Sequence, residues 1–310
     1  MTNPGNAALM DLLADLRASD YRFVTPTPET HGRVVARRGL ARDLRDVLGW
    51  SLSFESGAIE PRIENLLRQA NALENQPGGT LKSRLRVSSL RDRLFLHSAY
   101  PTEAEDSVFF GPDSYRFAEL IAAELERRPL APGAHIVDMG AGAGVGGIVA
   151  GLLSERPGVT LTDLNPKALR LALINADAAG VPVTTLESDT LDQVEDPIDL
   201  AVINPPYIVD DANRAYRDGG AMHGGEMPIE MTKMAADRIA PGGRVILYTG
   251  AAIVGGRNAV AEAIGSAAEA RGLAWSCREL DPDVFGEELD QPAYADVERI
   301  ALVAVMLTRP

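Results

Sequence analysis

The residues of this chain best suited to chemistry form the tetrapeptide Asn204-Pro205-Pro206-Tyr207. It follows an apolar run, residues 200–203, with the composition of a buried parallel strand. Because two consecutive prolines have no N–H groups for a sheet ladder, the strand is predicted to end at Asn204. One amide and one aromatic ring then lie at the carboxyl end of a strand, where ligands bind in open α/β sheets. This pair suits a planar N–C=O or N–C=N group.

A glycine-rich segment supplies a second set of candidate residues. Gly140, Gly142 and Gly144 alternate with small residues, which lets a ligand approach the backbone while the next helix points free N–H groups at it. Residues 142–147 also satisfy G-x-G-x-x-G, the dinucleotide fingerprint. Asp138, two residues before the first glycine, would crowd a pyrophosphate but would attract a cation. S-adenosyl-L-methionine, with its ammonium and sulfonium charges, suits this arrangement.

Two further acids follow the next strands. Asp163 lies 19 residues after Gly144, which is the expected place for an acid that binds both hydroxyl groups of a ribose. It also begins a helix-capping pattern that continues to Asn165 and Pro166, and the two roles are compatible. Asp189, in the polar loop after the following strand, is predicted to accept a hydrogen bond from an adenine amino group.

Alternating strands and helices are predicted to position these residues. Helices are predicted near residues 113–127, 145–153, 166–179, 228–239 and 258–272, and strands near residues 135–138, 159–163, 182–187, 198–203, 244–248, 273–277 and 299–306. This alternation predicts an α/β fold with a parallel sheet and helices on both faces. The last two apolar runs are joined by a long loop and predict an antiparallel hairpin at one edge.

The N-terminal part, residues 1–104, is predicted to form a smaller α+β domain that precedes a catalytic domain of residues 105–310. The three predicted helices and the predicted hairpin cover residues 5–19, 38–48, 60–73 and 85–96. Residues 31–100 carry twelve Lys and Arg against seven Asp and Glu, although the whole chain has a net charge of −14. That excess indicates either a solvated mixed surface or a phosphate-binding face.

Composition excludes several classes of protein. The chain is 45% hydrophobic and 24% charged, as in soluble globular proteins, and no apolar run approaches the length of a membrane span. A single cysteine, Cys277, and the lack of a signal pattern favour a reduced, cytoplasmic location. The four histidines show no metal-ligand spacing, so no metal is expected. The negative net charge argues against broad binding to nucleic acid.

Together, the segment from Asp138 to Gly144, Asp163 and the Asn-Pro-Pro-Tyr corner resemble the class I S-adenosylmethionine-dependent methyltransferases. Within that class they resemble the branch that methylates amide or amine nitrogen, which includes the release-factor glutamine methyltransferases and the N6-adenine and N2-guanine enzymes. The resemblance covers about residues 105–310. It implies a Rossmann-like, seven-stranded, mostly parallel sheet, S-adenosyl-L-methionine as cofactor and S-adenosyl-L-homocysteine as product.

The segment before the first strand of that sheet extends the resemblance. Residues 109–114, Phe-Phe-Gly-Pro-Asp-Ser, look like the segment that precedes the nucleotide-binding strand in the glutamine methyltransferases. By that similarity Pro112, Asp113 and Tyr115 would close over the methionine end of the cofactor. Two features depart from those enzymes: a longer N-terminal region, and a glycine-rich loop, residues 217–226, that we expect to border the acceptor.

The resulting hypothesis is an N-methyltransferase that acts on a planar nitrogen of a protein glutamine, an RNA or DNA base, or a small metabolite. The Asn204 side-chain oxygen and the Pro205 carbonyl would accept hydrogen bonds from the acceptor NH2 group and direct its lone pair at the methyl group. Pro206 would stiffen the corner, and Tyr207 would stack on the planar group. Asn204 would therefore contact both the acceptor and the cofactor.

Three other functions remain open from the sequence. A non-methylating enzyme that cyclises S-adenosylmethionine would use the same binding residues and would release methylthioadenosine without an acceptor. An NAD-dependent oxidoreductase would use the glycine fingerprint, although Asp138 and the proline corner argue against it. A nucleic-acid-modifying enzyme would use the basic region, residues 31–100, and would bind RNA with a steep salt dependence.

Overall fold

The structure of the protein is a computed structural model, and it describes residues 4–195, 197–210 and 217–310. Its strands are β1 (Leu73–Asn75), β2 (Leu81–Ser83), β3 (Leu85–Leu90), β4 (Arg93–Ser98), β5 (His135–Met139), β6 (Gly158–Asp163), β7 (Thr184–Glu187), β8 (Ile198–Ile203), β9 (Ile239–Val254), β10 (Arg257–Asn258), β11 (Ala274–Asp281) and β12 (Arg299–Thr308). Its helices are α1 (Pro4–Ala18), α2 (Pro28–Val35), α3 (Leu44–Leu48), α4 (Pro61–Gln69), α5 (Pro112–Arg127), α6 (Val145–Leu152), α7 (Pro166–Ala179), α8 (Ala221–Gly224), α9 (Glu226–Arg238) and α10 (Ala259–Ala270).

One large sheet organises the residues that follow α5. Its main strands lie in the order β11-β12-β9-β8-β5-β6-β7, and the two-residue strand β10 pairs with the end of β9. The strands from β9 to β7 along this order run parallel, whereas β12 pairs antiparallel with both β9 and β11. The predicted Rossmann-like sheet, mostly parallel with an antiparallel hairpin at one edge, is therefore confirmed.

Both faces of this sheet are covered. Alternate residues of each central strand enter two different hydrophobic clusters, as Ile136 and Val137 do in β5 and Leu200 and Ala201 do in β8. Since successive side chains of a strand point to opposite faces, this division means that helices cover the sheet on each side. The near-continuous apolar sequence of these strands is the consequence of burial on both faces. Within the described ranges, no helix is long and apolar enough to cross a membrane.

The N-terminal part combines four helices with two small antiparallel sheets, β1-β2 and β3-β4. The predicted hairpin is confirmed, and it extends over residues 85–98. The predicted helix over residues 38–48 is wrong in its first half. Helix α3 begins only at Leu44 because the Asp43 side chain accepts a hydrogen bond from the Asp46 N–H at 2.8 Å, which fixes the helix start.

Helix α2 was not expected from the sequence, because its apolar pattern is weak. It begins after Thr27, whose side chain accepts from the Thr30 N–H at 3.2 Å, and Pro28 occupies its first turn. These capping residues are the local signal that could have predicted this helix. Hydrophobic periodicity alone favoured residues 38–48, of which only the second half is helical, and did not indicate α2.

The N-terminal part packs against α7 of the large sheet. The Asn175 side chain is buried there, and its amide exchanges hydrogen bonds with the backbone N–H and C=O groups of Leu96 at 2.8 and 3.0 Å. The same amide donates to the carbonyl of Ala143 in the glycine turn at 3.0 Å. Strand β4 is thus tied through one side chain to the loop that follows β5. The division of the chain at residue 104 stays a prediction.

Candidate active site

A cavity of about 680 Å³ opens at the carboxyl edge of β5, β6, β7 and β8. The predicted site residues that line it are Asp138, Gly140, Gly142, Asp163, Asp189, Asn204 and Pro206. They come from four different strand ends, as expected for a ligand site in an open parallel sheet. The structure therefore brings part of the glycine turn, both following acids and two residues of the proline corner to one cavity. The predicted site residues that do not line it are Pro112, Asp113, Gly144, Pro205 and Tyr207.

The glycine turn after β5 forms one wall. Gly142 has φ +54°, in the left-handed region that favours glycine, and a Cβ atom built there meets no other atom within 4 Å. Its backbone therefore faces open space in the cavity. Gly144 lies behind it, where it precedes α6 and where a Cβ atom would lie 3.0 Å from the Ala172 side chain. The turn thus presents backbone on the cavity side and packs tightly on the other.

Asp138 lies beneath this turn and is only 2% exposed. Its Oδ2 atom accepts a hydrogen bond from the Gly147 N–H in the first turn of α6 at 2.7 Å. Burial raises the pKa of this carboxyl group to about 7, because desolvation disfavours its charged form more than the Gly147 hydrogen bond favours it. The nearby carboxylate of Asp163 adds to the increase. Such a group gains most from a cationic ligand.

Asp163 lies at the end of β6, next to the turn. Its Oδ2 atom accepts from the Gly142 N–H, and its Oδ1 atom accepts from the Asn165 N–H, each at 2.8 Å. Burial raises the pKa of this carboxyl group, and these backbone hydrogen bonds oppose the increase. Asn165 caps α7 by accepting from the Lys167 N–H at 3.0 Å. A carboxylate offers about four lone-pair sites, so binding of a ribose is compatible with these contacts and stays a prediction.

Asp189 lies in the loop after β7 and is exposed at the cavity. The loop is held by Ser188, whose Oγ atom accepts from the Thr190 N–H at 3.0 Å. No hydrogen bond joins the Asp189 carboxylate to another residue of the described ranges. The carboxylate is therefore free to accept from a ligand, and the proposed contact with an adenine amino group stays a prediction.

The proline corner follows β8, which ends at the fully buried Ile203. Asn204 and Pro206 face the cavity. Tyr207 lies behind them, is 8% exposed, and donates a hydrogen bond from its hydroxyl group to Asp113 Oδ2 at 2.8 Å. In this arrangement the Tyr207 ring packs into the protein, and its hydroxyl group has a partner that the sequence did not indicate. The stacking of Tyr207 on an acceptor stays a prediction.

The start of α5 contacts both the cavity and the corner. Ser114 and Phe117 of this helix line the cavity, whereas the Asp113 carboxylate accepts from Tyr207 and from the Tyr248 hydroxyl group, the latter at 2.7 Å. Tyr115 points toward the N-terminal part, where its hydroxyl oxygen accepts from the Thr25 N–H at 3.0 Å. Contacts of Pro112, Asp113 and Tyr115 with the cofactor stay predictions, and Asp113 is committed to two tyrosines.

Several lining residues were missed by the sequence reasoning. Met227, Met231 and Met234 of α9 present one face to the cavity, and Phe109 closes it from the other side. The methionines recur at the spacing of one helical face, but that pattern equally predicts an ordinary core helix. Only the position of α9 after the corner could have indicated a role at the site.

The fold and the site define a class, and comparisons with known proteins agree with it. Residues 116–249 match the family model described as the methyltransferase small domain. The chain is 33% identical over 295 residues to the release factor glutamine methyltransferase of Deinococcus radiodurans, which covers 90% of this chain and 96% of that protein. It is 36% identical over 159 residues to the enzyme of the same name from Cereibacter sphaeroides, covering 46% and 54%.

The protein is thus an S-adenosylmethionine-dependent methyltransferase, as the sequence motifs predicted. More specifically, the chain belongs to the release factor glutamine methyltransferase family, because one member matches it over nearly the whole length of both proteins. The crystal structure of Trm5b from Pyrococcus abyssi shares the fold, with a TM-score of 0.51 and 15% identity over 80% of this chain and 68% of that one.

Proposed function

We propose that this protein methylates the side-chain amide nitrogen of a glutamine in a peptide-chain release factor. The observation that carries the proposal is that Asn204 and Pro206 line the same cavity as Asp138, Asp163 and the glycine turn. An acceptor amide held at the corner would therefore lie next to a methyl donor held by the turn. The similarity over almost the full length of a protein named for this activity supports this acceptor class.

The cavity fits S-adenosylmethionine in size and in chemistry. Its volume of about 680 Å³ lies within the range of about 300–1,000 Å³ typical of small-molecule sites. We propose that Asp138 and the backbone of the glycine turn hold the charged methionine end, that Asp163 holds the ribose hydroxyl groups, and that Asp189 accepts from the adenine amino group. When bound, the sulfonium group supplies an activated methyl group.

The residues of the chain then orient the acceptor. We propose that the Asn204 side-chain oxygen and the Pro205 carbonyl accept hydrogen bonds from the two N–H groups of the acceptor amide. A new N–C bond forms as the S–C bond breaks, S-adenosylhomocysteine leaves as a neutral thioether, and the amide nitrogen loses one proton to water. Since the leaving group is already activated, the main contribution of the enzyme is alignment, which can supply about 7–11 kcal/mol.

The other acceptors considered from the sequence become outcomes of the test. A nucleic-acid acceptor would use the basic N-terminal region, but six of its twelve cations already lie within 4.0 Å of a carboxylate. Half of these cations are therefore already paired, which leaves fewer of them for phosphate groups and supports a protein acceptor. A release factor acts at the ribosome, so the proposal also places this enzyme in the cytoplasm.

The test is to incubate the purified protein and deuterium-labelled S-adenosylmethionine with release factor from the same organism, and to map the label by peptide mass spectrometry. We expect one labelled methyl group on one glutamine, and no label when that glutamine is replaced by asparagine. Parallel reactions contain ribosomal RNA or no acceptor. Label in RNA with none in the release factor, or methylthioadenosine released without an acceptor, would overturn the proposal.

A further inference from the structure

We propose that Asp113 and Tyr248 are positioning residues that hold the Asn-Pro-Pro-Tyr corner, and with it Asn204, in register with the cavity. The inference rests on the proposed function for its activity assay. It replaces the contact with the cofactor that the sequence suggested for Asp113. Three buried side chains, those of Asp113, Tyr207 and Tyr248, form a hydrogen-bonded group that we call the tyrosine clamp.

The clamp joins three elements that are far apart in the sequence. The Asp113 carboxylate, at the start of α5, is 5% exposed. Its Oδ2 atom accepts from the Tyr207 hydroxyl group of the corner at 2.8 Å, and its Oδ1 atom accepts from the Tyr248 hydroxyl group of β9 at 2.7 Å. Hydrogen bonds to a carboxylate are stronger than neutral ones, so the three groups hold one geometry.

The Tyr207 ring also has a shaped seat. Gly250 lies under it in β9, and a Cβ atom at that position would approach the ring Cδ2 and Cε2 atoms to 2.4 and 2.6 Å. The Phe285 ring packs against it at an angle of 65°, with 5.9 Å between ring centroids. The chain just after the corner is fixed by a backbone hydrogen bond from the Gly219 N–H to the Ile208 carbonyl at 2.8 Å. Together, these contacts hold the Tyr207 ring in one position.

The position of the Tyr207 ring affects the position of Asn204, because only two prolines separate these residues. Each proline ring fixes its own φ angle, so the segment between Asn204 and Tyr207 has few soft torsions. A displacement of Tyr207 is therefore carried to the Asn204 amide and is not absorbed in between. Ser114 and Phe117 follow Asp113 in the first turns of α5, and both line the cavity. One turn of helix thus contacts the cofactor cavity and holds the corner.

Charges around the clamp are few. Arg116 lies one turn along α5, with its Nη1 atom 3.8 Å from Asp113 Oδ1, and it also pairs with Asp281 at 3.1 Å. Its guanidinium group is partly shared with that second carboxylate. The two phenol hydroxyl groups are consequently the closest partners of the buried Asp113, so removal of either one leaves a carboxylate oxygen without its donor.

The test compares three variants that each remove one part of the clamp, Asp113→Asn, Tyr207→Phe and Tyr248→Phe. For each we measure kcat and KM with release factor, and the Kd of S-adenosylmethionine by calorimetry. A misplacement of about 1 Å can cost about 100-fold in rate, so we expect Asp113→Asn and Tyr207→Phe to lower kcat by about 10- to 100-fold. Tyr248→Phe acts through Asp113, and we expect a smaller loss, with the Kd unchanged in all three.

The matched control is Tyr21→Phe. Tyr21 is also buried, and its hydroxyl group donates to the Val87 carbonyl at 3.1 Å in the N-terminal part. This variant loses a buried hydrogen bond of similar kind, so we expect a lower Tm with unchanged kcat. If the Asp113→Asn variant does not fold, the two Tyr→Phe variants still break the clamp one bond at a time.

Two results would overturn the inference. A Kd for S-adenosylmethionine that weakens in proportion to the loss of kcat/KM in Asp113→Asn would make Asp113 a cofactor contact. Unchanged kcat in both Tyr207→Phe and Tyr248→Phe would show that the clamp does not position the corner. Failure of the proposed function is seen separately, because the wild-type protein would then not methylate release factor. The ratios of variant to wild-type kcat would in that case be measured on the acceptor that mass spectrometry identifies.

Discussion

The two sides of the cavity are held in different ways. On the cofactor side, the acids bind backbone groups that are at most 21 residues away in the sequence: Asp138 accepts from Gly147, and Asp163 accepts from Gly142 and Asn165. On the acceptor side, Tyr207 is held by Asp113, 94 residues earlier, and that carboxylate is held in turn by Tyr248, 135 residues after it. The cofactor side is thus held by contacts at shorter sequence separation, whereas the acceptor side is held by contacts between distant segments of the chain.

This difference has a functional consequence. A turn whose backbone bonds to two acids from adjacent strands depends on few distant residues, which suits the binding of one constant ligand. A corner that depends on a distant helix and strand can be moved by changes elsewhere. Substitutions on the two sides should therefore have different effects. Those on the cofactor side should change the Kd of S-adenosylmethionine, and those on the acceptor side should change kcat.

The largest difference between the effect on kcat and the effect on the Kd of S-adenosylmethionine is expected for Asn204→Ala. Loss of one group that aligns the reacting atoms typically lowers kcat by about 100- to 1,000-fold, and we expect the upper part of that range. The Kd of S-adenosylmethionine should stay within roughly tenfold, because the glycine turn and Asp163 are unchanged. Steady-state kinetics and calorimetry measure both quantities.

The control for this variant is Asn258→Ala. Asn258 caps α10 by accepting from the Ala261 N–H at 2.9 Å, so the same chemical change should cost about 1 kcal/mol of stability and leave kcat unaltered. Wild-type kcat in Asn204→Ala would refute the role of the corner amide.

The next largest effect on kcat is expected for Gly250→Ala, at a residue outside the cavity lining. A Cβ atom 2.4 Å from the Tyr207 ring must displace it by about 1 Å, which can cost about 100-fold in kcat. Gly158→Ala in β6 is the matched control, because a Cβ atom there lies 3.8 Å from its nearest neighbour, the His135 ring. Equal kcat values for the two variants would mean that the ring position does not matter for transfer.

Sequence reasoning succeeded where the determining contacts are local. The glycine turn, Asp163 and the alternation of strands and helices follow from hydrophobic pattern and spacing, and the structure places Asp163, part of the turn and Asn204 at one cavity. It could not assign a partner to Tyr207, since nothing near Asp113 in the sequence indicates that its carboxylate faces two tyrosines from β9 and the corner. The motif suggested only that Asp113 lies near the ligand.

The same limit explains the N-terminal part. The apolar residues between 38 and 48 have helical spacing, but the Asp43 side chain binds the Asp46 N–H and starts the helix late. A capping bond of this kind competes with helix extension through one side chain, so periodicity alone does not detect it. Local polar contacts decided the boundary there, whereas distant polar contacts decided the position of the corner.

On the cofactor side, Asp163→Ala should weaken the binding of S-adenosylmethionine. Hydrogen bonds to a charged group contribute about 1.5–3 kcal/mol, which corresponds to a Kd raised by about 10- to 100-fold. At saturating cofactor kcat should recover most of its wild-type value, in contrast to the variants of the corner. The Asp163→Asn variant keeps one acceptor oxygen, so its Kd should lie between those of the wild-type protein and of Asp163→Ala. An unaltered Kd in calorimetry would refute the ribose assignment.

The smallest effect is a pH dependence that belongs to the cofactor side alone. Burial raises the pKa of Asp138 to about 7 in the free protein, and a bound cation favours its ionised form. Binding therefore lowers this pKa and releases a proton, so the affinity for S-adenosylmethionine should fall by up to about tenfold per pH unit below pH 7 and level off above it. Calorimetry in two buffers with different heats of ionisation detects the released proton.

Asp138→Asn isolates this group, because any titration of the ligand itself is common to both proteins. The variant should bind S-adenosylmethionine more weakly at neutral pH and should lack the additional slope below pH 7. The raised pKa also predicts the opposite trend for the free protein: the neutral carboxyl group contributes stability at low pH that is lost as the pH rises toward 7, so the wild-type Tm should decline there relative to the variant. If both proteins show the same slope in binding and in Tm, the buried carboxyl group of Asp138 is not the cation site.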